Sequence, residues 1–330
     1  MISLINANAL TIPLANESVH MCVTSPPYWG LRDYSVAGQL GLETTPEAYV
    51  ASMVAVFREV WRVLRPDGTL WLNIGDSYTR SPGKGQKFIG GTFVGADTNG
   101  ARTDIRPDIP AGLKEKDLVG IPWRLAFALQ ADGWWLRSDI IWSKPNPMPE
   151  SVTDRPTKAH EYLFLLAKSA SYYYDADAVR EEAQDRPQPR PEDKQISPNG
   201  FTPWLDNRYA PGASGYGHNP VGRNRRTVWE IATAPYSGAH FATFPPALVE
   251  PCIKAGCPFG GIVLDPFAGS GTMLMVARQL GRSAIGLDLS LPYLRDQARA
   301  RLGFTALDEW TQGKKDGASV DDLPLFKEIK

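Results

Sequence analysis

Apolar residues recur at helical spacing through residues 46–64, where Tyr49, Met53, Val56, Phe57, Val60 and Leu64 share one face. Pro66-Asp67-Gly68 then supplies a stop. The mostly apolar stretch Leu70 to Ile74 predicts a strand. A short helix is predicted at 122–131, and strands at 134–142, 162–167 and, from three consecutive tyrosines, 172–174. Earlier, Val19-His20-Met21-Cys22-Val23 reads as a strand that two prolines bring to an end. Near the other end, an apolar strand over 261–265 leads into a glycine turn, a helix at 272–280 and a second strand at 282–287. Strands alternating with helices predict an α/β fold, a mostly parallel sheet with helices on both faces. No internal repeat is present.

Two of these junctions carry chemistry. Thr24-Ser25-Pro26-Pro27-Tyr28-Trp29 follows the first strand. Neither proline donates a backbone hydrogen bond, so the segment forms a turn at the strand's end. The Ser25 hydroxyl and a proline carbonyl are both able to accept from an amino group, and Tyr28 and Trp29 offer flat faces. A planar ring with an exocyclic amine, such as a nucleobase, fits that description. The plain alternative is a loop whose prolines and aromatics only pack.

The second junction is Gly261-Ile262-Val263-Leu264-Asp265-Pro266-Phe267-Ala268-Gly269-Ser270-Gly271-Thr272. Gly269 and Gly271 let backbone approach a ligand, and the helix that follows points bare N–H groups at it. The next strand ends in Asp288, an acid about 20 positions on and placed to bind ribose hydroxyls. Strand, turn, helix, strand and acid in that order point to a nucleoside cofactor. An ordinary turn of a Rossmann-like domain is the competing reading.

Composition narrows the classes. With 330 residues, 43% of them hydrophobic, the chain can bury one large core with appended loops. It shows no apolar run of membrane-spanning length and no signal-peptide pattern. Three cysteines are an odd set and make no disulfide framework, which points to the reducing cytoplasm. Cys22, Cys252 and Cys257 form no metal-ligand spacing, so no metal is expected. The net charge of −1 does not advertise nucleic-acid binding, but a basic footprint need only be local. Two glycine-rich segments are locally basic. One holds Arg80, Lys84, Lys87, Arg102 and Arg106; the other holds Arg208, Arg223, Arg225 and Arg226. Either is alternatively a solvated insertion.

Together the two junctions resemble those of the amino-group DNA methyltransferases, which make N4-methylcytosine or N6-methyladenine from S-adenosylmethionine. The likeness continues through Glu59–Asp76, Lys144-Pro145-Asn146-Pro147-Met148-Pro149, Arg155-Pro156-Thr157-Lys158-Ala159-His160-Glu161-Tyr162 and His240-Phe241-Ala242-Thr243-Phe244-Pro245. It covers nearly all of residues 1–305. The catalytic loop precedes the cofactor loop, which is the circularly permuted order of the β group.

The resemblance implies a Rossmann-like S-adenosylmethionine-dependent fold and a set of roles. Ser25, Pro26, Pro27 and Tyr28 would hold the target amine and base. Asp265, Phe267, Gly269, Ser270, Gly271 and Thr272 would cradle the methionine part of the cofactor, Asp288 its ribose, and Phe241 and Thr243 would close over it. Asn8 stands where the family usually has an acid for the adenine amine, with Asn6 nearby as an alternative; an amide oxygen can accept that bond without charge. The implied organisation is a catalytic half, 1–179, with a basic loop at 78–117; a target-recognition region, 180–228; a cofactor half, 229–305; and a polar tail, 306–330. Arg208, Arg223, Arg225 and Arg226 would contact DNA. Serine before the prolines favours N4-cytosine over N6-adenine, and the partners implied are double-stranded DNA and a separate restriction endonuclease. Two other classes stay open: a nicotinamide oxidoreductase, which leaves the Ser-Pro-Pro-Tyr turn unexplained, and a DNA-binding protein without catalysis. Pro251-Cys252 hints at C5-cytosine chemistry, but it precedes the cofactor loop and lacks an activating setting.

Overall fold

The sheet is organised around β2 (Val19–Thr24), whose odd and even side chains face opposite layers. The computed structural model describes residues 1–34, 36–79, 109–182, 222–234 and 244–303, with the backbone of 88–89 and 92–93. Before β2 stands β1 (Ile2–Asn6), and after it α1 (Pro46–Val63) and β3 (Leu64–Ile74). A two-stranded ribbon, β4 (Phe88–Ile89) and β5 (Thr92–Phe93), is followed by α2 (Ile121–Ala131), β6 (Trp135–Ser143), β7 (His160–Ala167) and β8 (Val228–Glu230). The chain continues with α3 (Pro246–Gly256), β9 (Ile262–Asp265), α4 (Thr272–Gln279) and β10 (Ser283–Asp288). A π-helical turn over Tyr293–Ala298 runs into the short α5 (Arg299–Arg301).

Eight strands form one sheet in the order β1-β10-β9-β2-β3-β7-β6-β8. Pairing is parallel from β1 through β3, antiparallel on both sides of β7, and parallel again between β6 and β8. The mostly parallel α/β architecture predicted above is therefore present. Chain order runs outward in opposite directions from the β9/β2 pair, which makes that pair a switch point. In open α/β sheets ligands bind outside the carboxyl ends of the strands at such a point.

The two layers follow from the period-two alternation. Cys22, Leu70, Leu72, Leu264, Ile285 and Leu287 join one cluster with the buried faces of α1 and α2. Their neighbours point the other way: Met21 and Trp71 reach Gly256 of α3, and Gly286 meets Leu274 of α4. Helix α1 begins at Thr45, whose hydroxyl accepts from Ala48 N–H at 3.1 Å, with Pro46 preset for the first turn. Its Tyr49, Met53, Val56, Phe57, Val60 and Val63 are fully buried, each stabilising by about 1.5–3 kcal/mol.

Several expectations need correction. Tyr172-Tyr173-Tyr174 is not a strand; Tyr173 N–H donates to Asp67 and the Tyr172 hydroxyl takes a bond from Arg137, so the segment is pinned as coil. Pro66-Asp67-Gly68 does not separate helix from strand. It forms an irregularity inside β3, where pairing jumps from Val19↔Leu64 to Met21↔Thr69. Strand β7 starts at His160, two residues before the prediction, and so includes Glu161. The apolar α3, with Pro251 in its interior, is a helix that the sequence pattern does not predict.

The chain divides into two units: Met1–Tyr174 with Thr227–Lys330, and Asp175–Arg226. Among the described residues of the smaller unit, a 3-10 turn over Asp177–Val179 is followed by an antiparallel bridge between Glu181 and Arg223. No helix among the described residues is long and apolar enough to cross a membrane.

Candidate active site

The parallel strands bring the two chemical junctions side by side. Strand β2 ends at Thr24 and β9 ends at Asp265, and the two strands are neighbours. The Thr24 hydroxyl donates to Asp265 Oδ1 at 2.7 Å, and both residues are buried. Ser25 thus begins its turn one residue from the side chain that anchors the glycine loop.

The turn itself is fixed by its surroundings. Pro27 carbonyl accepts from the Tyr49 hydroxyl of α1 at 2.9 Å. Among the described residues nothing donates to the Pro26 carbonyl, so it keeps its acceptor capacity. Ser25 Oγ lies 3.3 Å from the Tyr28 hydroxyl, which in turn reaches Glu161 Oε2 at 2.7 Å and Asn73 Oδ1 at 3.3 Å. Burial, with Glu161's charge beside it, pushes the Tyr28 phenol well above its ordinary range, so it stays protonated. Trp29 is not a stacking face. It is buried in the core with its indole N–H on the Glu43 carbonyl at 2.8 Å.

On the cofactor side, Asp265 Oδ1 also accepts from Phe267 N–H at 3.0 Å, while the Phe267 ring leans on the core. Burial pushes the Asp265 carboxyl up to about 7; the bonds from Thr24 and Phe267 pull against that rise, and Asp288's charge adds to it. Gly269 and Gly271 both adopt positive φ, +49° and +75°. A Cβ at Gly269 would meet nothing nearer than 3.9 Å, so space lies open beside it, whereas one at Gly271 would press on Ala298. Gly269 N–H and Ser290 N–H hold the two Asp288 oxygens at 2.9 and 2.8 Å. Burial raises the Asp288 carboxyl above its ordinary value, and these two bonds oppose the rise. Ser270 and Thr272 are buried, and both hydroxyls accept from Arg301 at 3.0 and 2.8 Å. A cradle of glycine backbone with the partly buried Asp288 carboxylate at a strand end suits a ligand that carries a ribose diol.

The remaining expected residues fall as follows. Asn8 Oδ1 accepts from Leu10 N–H at 2.9 Å in a local turn. Asn6 Nδ2 ties β1 to the end of β10 through the Asp288 and Leu289 carbonyls, both at 3.0 Å. Phe241, Thr243 and Arg208 lie outside the described residues, as do Arg80, Lys84, Lys87, Arg102 and Arg106 of the other basic loop and the tail beyond 303. Arg223 and Arg226 both bond the carboxylate of Glu181, at 3.1 and 3.0 Å. Cys252 is buried in α3 with its thiol on the Leu248 carbonyl, a core position. Among the described residues no His, Cys, Asp and Glu cluster is shaped for a metal.

Three neighbours of the turn were not singled out from sequence: Glu161, Asn73 and Lys144. Asn73 is buried and donates to Glu161 and to the Tyr162 carbonyl, and Lys144 pairs with Glu161 Oε1. Tyr34 and Tyr293 form an edge-to-face pair with centroids 6.2 Å apart, and Asp288's charge adds to the upward push that burial gives both phenols.

Residues 19–299 match the family model for N6/N4 methyltransferases, described as DNA methylase. The chain belongs to that DNA methylase family. It is 48% identical over 301 residues to the Type II methyltransferase M.Cfr9I of Citrobacter freundii, covering 88% of this chain and 85% of the relative. It is likewise 48% identical over 282 residues to M.SmaI of Serratia marcescens, covering 85% and 83%. The fold matches PvuII DNA methyltransferase (cytosine-N4-specific) with a TM-score of 0.59 at 17% identity, over 96% of this chain and 90% of that one. A putative DNA modification methylase of Thermus thermophilus with S-adenosyl-L-methionine bound gives 0.55 at 22%, over 92% and 93%. This methylase is a DNA methyltransferase that uses S-adenosylmethionine.

Proposed function

We propose that the methylase transfers a methyl group to the exocyclic N4 of cytosine in double-stranded DNA. The observation that carries the reading is the Thr24–Asp265 bond, which sets Ser25 beside the cofactor loop. An exocyclic amine is a poor nucleophile because its lone pair is delocalised into the ring. The Pro26 carbonyl and the Ser25 hydroxyl are suited to accept the two amine protons, which favours the pyramidal form with a localised lone pair. S-adenosylmethionine supplies an electrophilic methyl on a sulfonium. Asp288 is suited to the ribose hydroxyls, the Gly269–Gly271 backbone to the methionine part, and Asp265 to the positive charge. Catalysis then rests on positioning and electrostatics, with no covalent enzyme intermediate. The base has to leave the duplex stack to reach Ser25.

Serine ahead of the two prolines supports cytosine over adenine, and so does the fold shared with a cytosine-N4-specific enzyme. The unit Asp175–Arg226, separate from the catalytic unit, supports a role for that region in reading the DNA site. The Type II designation of the relatives supports a separate endonuclease that cuts the same site. Expression in methylation-free cells, followed by nucleoside mass spectrometry of the DNA, is expected to show N4-methylcytosine. A clean N6-methyladenine signal would assign the same mechanism to adenine instead.

A further inference from the structure

The Glu161 carboxylate sits at the end of a hydrogen-bond chain that begins at Ser25. Its side chain is 16% exposed and that of Lys144, paired to Oε1, is 18% exposed. Oε2 takes Asn73 Nδ2 at 3.2 Å and the Tyr28 hydroxyl at 2.7 Å. We propose that Glu161 is a positioning residue that fixes the direction of this chain, so that Ser25 presents only lone pairs to the substrate amine. The proposal rests on the reading above, in which Ser25 accepts from that amine.

A carboxylate paired with an ammonium only accepts. Tyr28 has one hydroxyl proton and two acceptors within reach, Glu161 at 2.7 Å and Asn73 Oδ1 at 3.3 Å. The charged and nearer acceptor takes it. The Tyr28 oxygen then has only lone pairs left for Ser25, 3.3 Å away. Ser25 therefore turns its proton toward Tyr28, and both lone pairs of Oγ remain for the substrate. That separation is long for a pair of hydroxyls, so the network sets direction more than strength. With a neutral amide at 161 the polarity is no longer imposed. Tyr28 is then free to donate to Ser25, and the Ser25 proton is free to face the amine donor to donor. Backbone packs closely against one edge of the ring: a Cβ on Gly75 would lie 2.8 Å from Tyr28 Cε2.

The test is methylation kinetics on Glu161→Gln, Tyr28→Phe, the double variant and Ser25→Ala. Glu161→Gln keeps the size of the side chain and removes its charge. It is expected to lower kcat about tenfold or more, the scale of one charge-assisted hydrogen bond, with KM for cofactor and DNA little changed. Tyr28→Phe keeps the ring and is expected to do the same. Because both act through one chain, the double variant should be no slower than the slower single. Multiplying losses, an unchanged kcat in Glu161→Gln, or a rise in KM alone overturns the proposal. Should Glu161→Gln not fold, Tyr28→Phe alone decides, since full activity without the hydroxyl removes the chain. Ser25→Ala separates the levels: if it keeps wild-type turnover, the acceptor reading of Ser25 fails, whereas if it is slow while Glu161→Gln is not, only the role of Glu161 fails.

Discussion

Thr24 Oγ1 and Asp265 Oδ1 lie 2.7 Å apart across 241 positions of sequence. The bond joins the last residue of β2 to the last residue of β9, and so joins the turn that would hold the base to the loop that would hold the cofactor. Both partners are buried, and an Asp265 without this donor would keep on Oδ1 only the bond from Phe267 N–H. Parallel neighbouring strands put both junctions on one sheet edge whatever their distance in sequence.

Thr24→Val keeps the shape and removes the donor. Leaving a buried carboxylate one bond short is expected to cost about 1–3 kcal/mol of stability. Cofactor affinity should fall as well, because the loop that Asp265 anchors loosens. Urea unfolding and calorimetric titration of S-adenosylmethionine check the two effects. Stability and affinity both equal to wild type would show that the bond does not couple the junctions.

The raised carboxyl of Asp265 predicts a pH dependence. Its value moves from an ordinary 3.8 to about 7, so between those limits the folded protein binds a proton that the unfolded chain has lost. Stability from this group is then greatest below about 4, falls as pH rises toward 7 and is level above, a range on the order of 4 kcal/mol. Cofactor binding runs the opposite way. If Asp265 faces the cationic part of S-adenosylmethionine, affinity rises as pH climbs through about 7. Asp265→Asn should flatten both trends. Calorimetric titrations from about pH 5.5 to about pH 8.5 span that transition and check the second trend. A pH-independent affinity in wild type takes the charge of Asp265 out of cofactor binding.

Residues that act with their sequence neighbours were legible beforehand. Asp265, Gly269 and Gly271 form one local turn, and the spacing to Asp288 is carried by one helix and one strand. The alternation of strand and helix segments along the chain was enough to give a sheet with two covered faces. What stayed hidden depends on which strands become neighbours. Glu161 reaches Tyr28 because β7 inserts antiparallel beside β3, bringing Tyr162 opposite Ile74. Nothing local to His160-Glu161-Tyr162 signals that. Trp29 reads as a second aromatic face, but the Glu43 carbonyl satisfies its N–H and lets the indole enter the core. The three tyrosines at 172–174 have strand propensity that pairing with Asp67 and Arg137 overrides.

Gly75 is expected to be intolerant of substitution for a reason specific to the turn that holds Ser25 and Tyr28. Its φ lies outside the left-handed region, so alanine costs nothing in backbone strain. A Cβ there would meet Tyr28 Cε2 at 2.8 Å, closer than real contacts allow, so the ring or the strand must shift. Gly75→Ala should therefore lower kcat with thermal stability changed by about 1–3 kcal/mol at most, the usual cost of overpacking. Activity and melting temperature measured together check this. A fully active Gly75→Ala would mean that the position of the Tyr28 ring is not limiting.

Glu181 tests whether the smaller unit reads DNA. It accepts from Arg223 Nε at 3.1 Å, from Arg226 Nε at 3.0 Å and from Arg226 N–H at 3.3 Å. One carboxylate thus offsets two of the arginines proposed to contact DNA. The two Arg–Glu181 pairs are partly exposed, and such pairs contribute little to stability, so removing the charge should leave the unit folded. If Arg223 and Arg226 meet phosphates, Glu181→Gln is expected to tighten binding to all DNA and to steepen its salt dependence, by a slope of about 0.9 for each further phosphate neutralised. If either arginine instead grips a guanine edge, its alanine variant should relax one position of the site by about 1–3 kcal/mol and leave non-specific binding nearly as it was. Fluorescence anisotropy over a salt series, on cognate and scrambled duplexes, separates the two. Exchanging residues 175–226 for those of a relative with another specificity then asks the question directly. A chimera that folds, methylates and keeps the original site would move recognition out of this unit, with the basic segment that holds Arg80, Lys84, Lys87, Arg102 and Arg106 next to be exchanged.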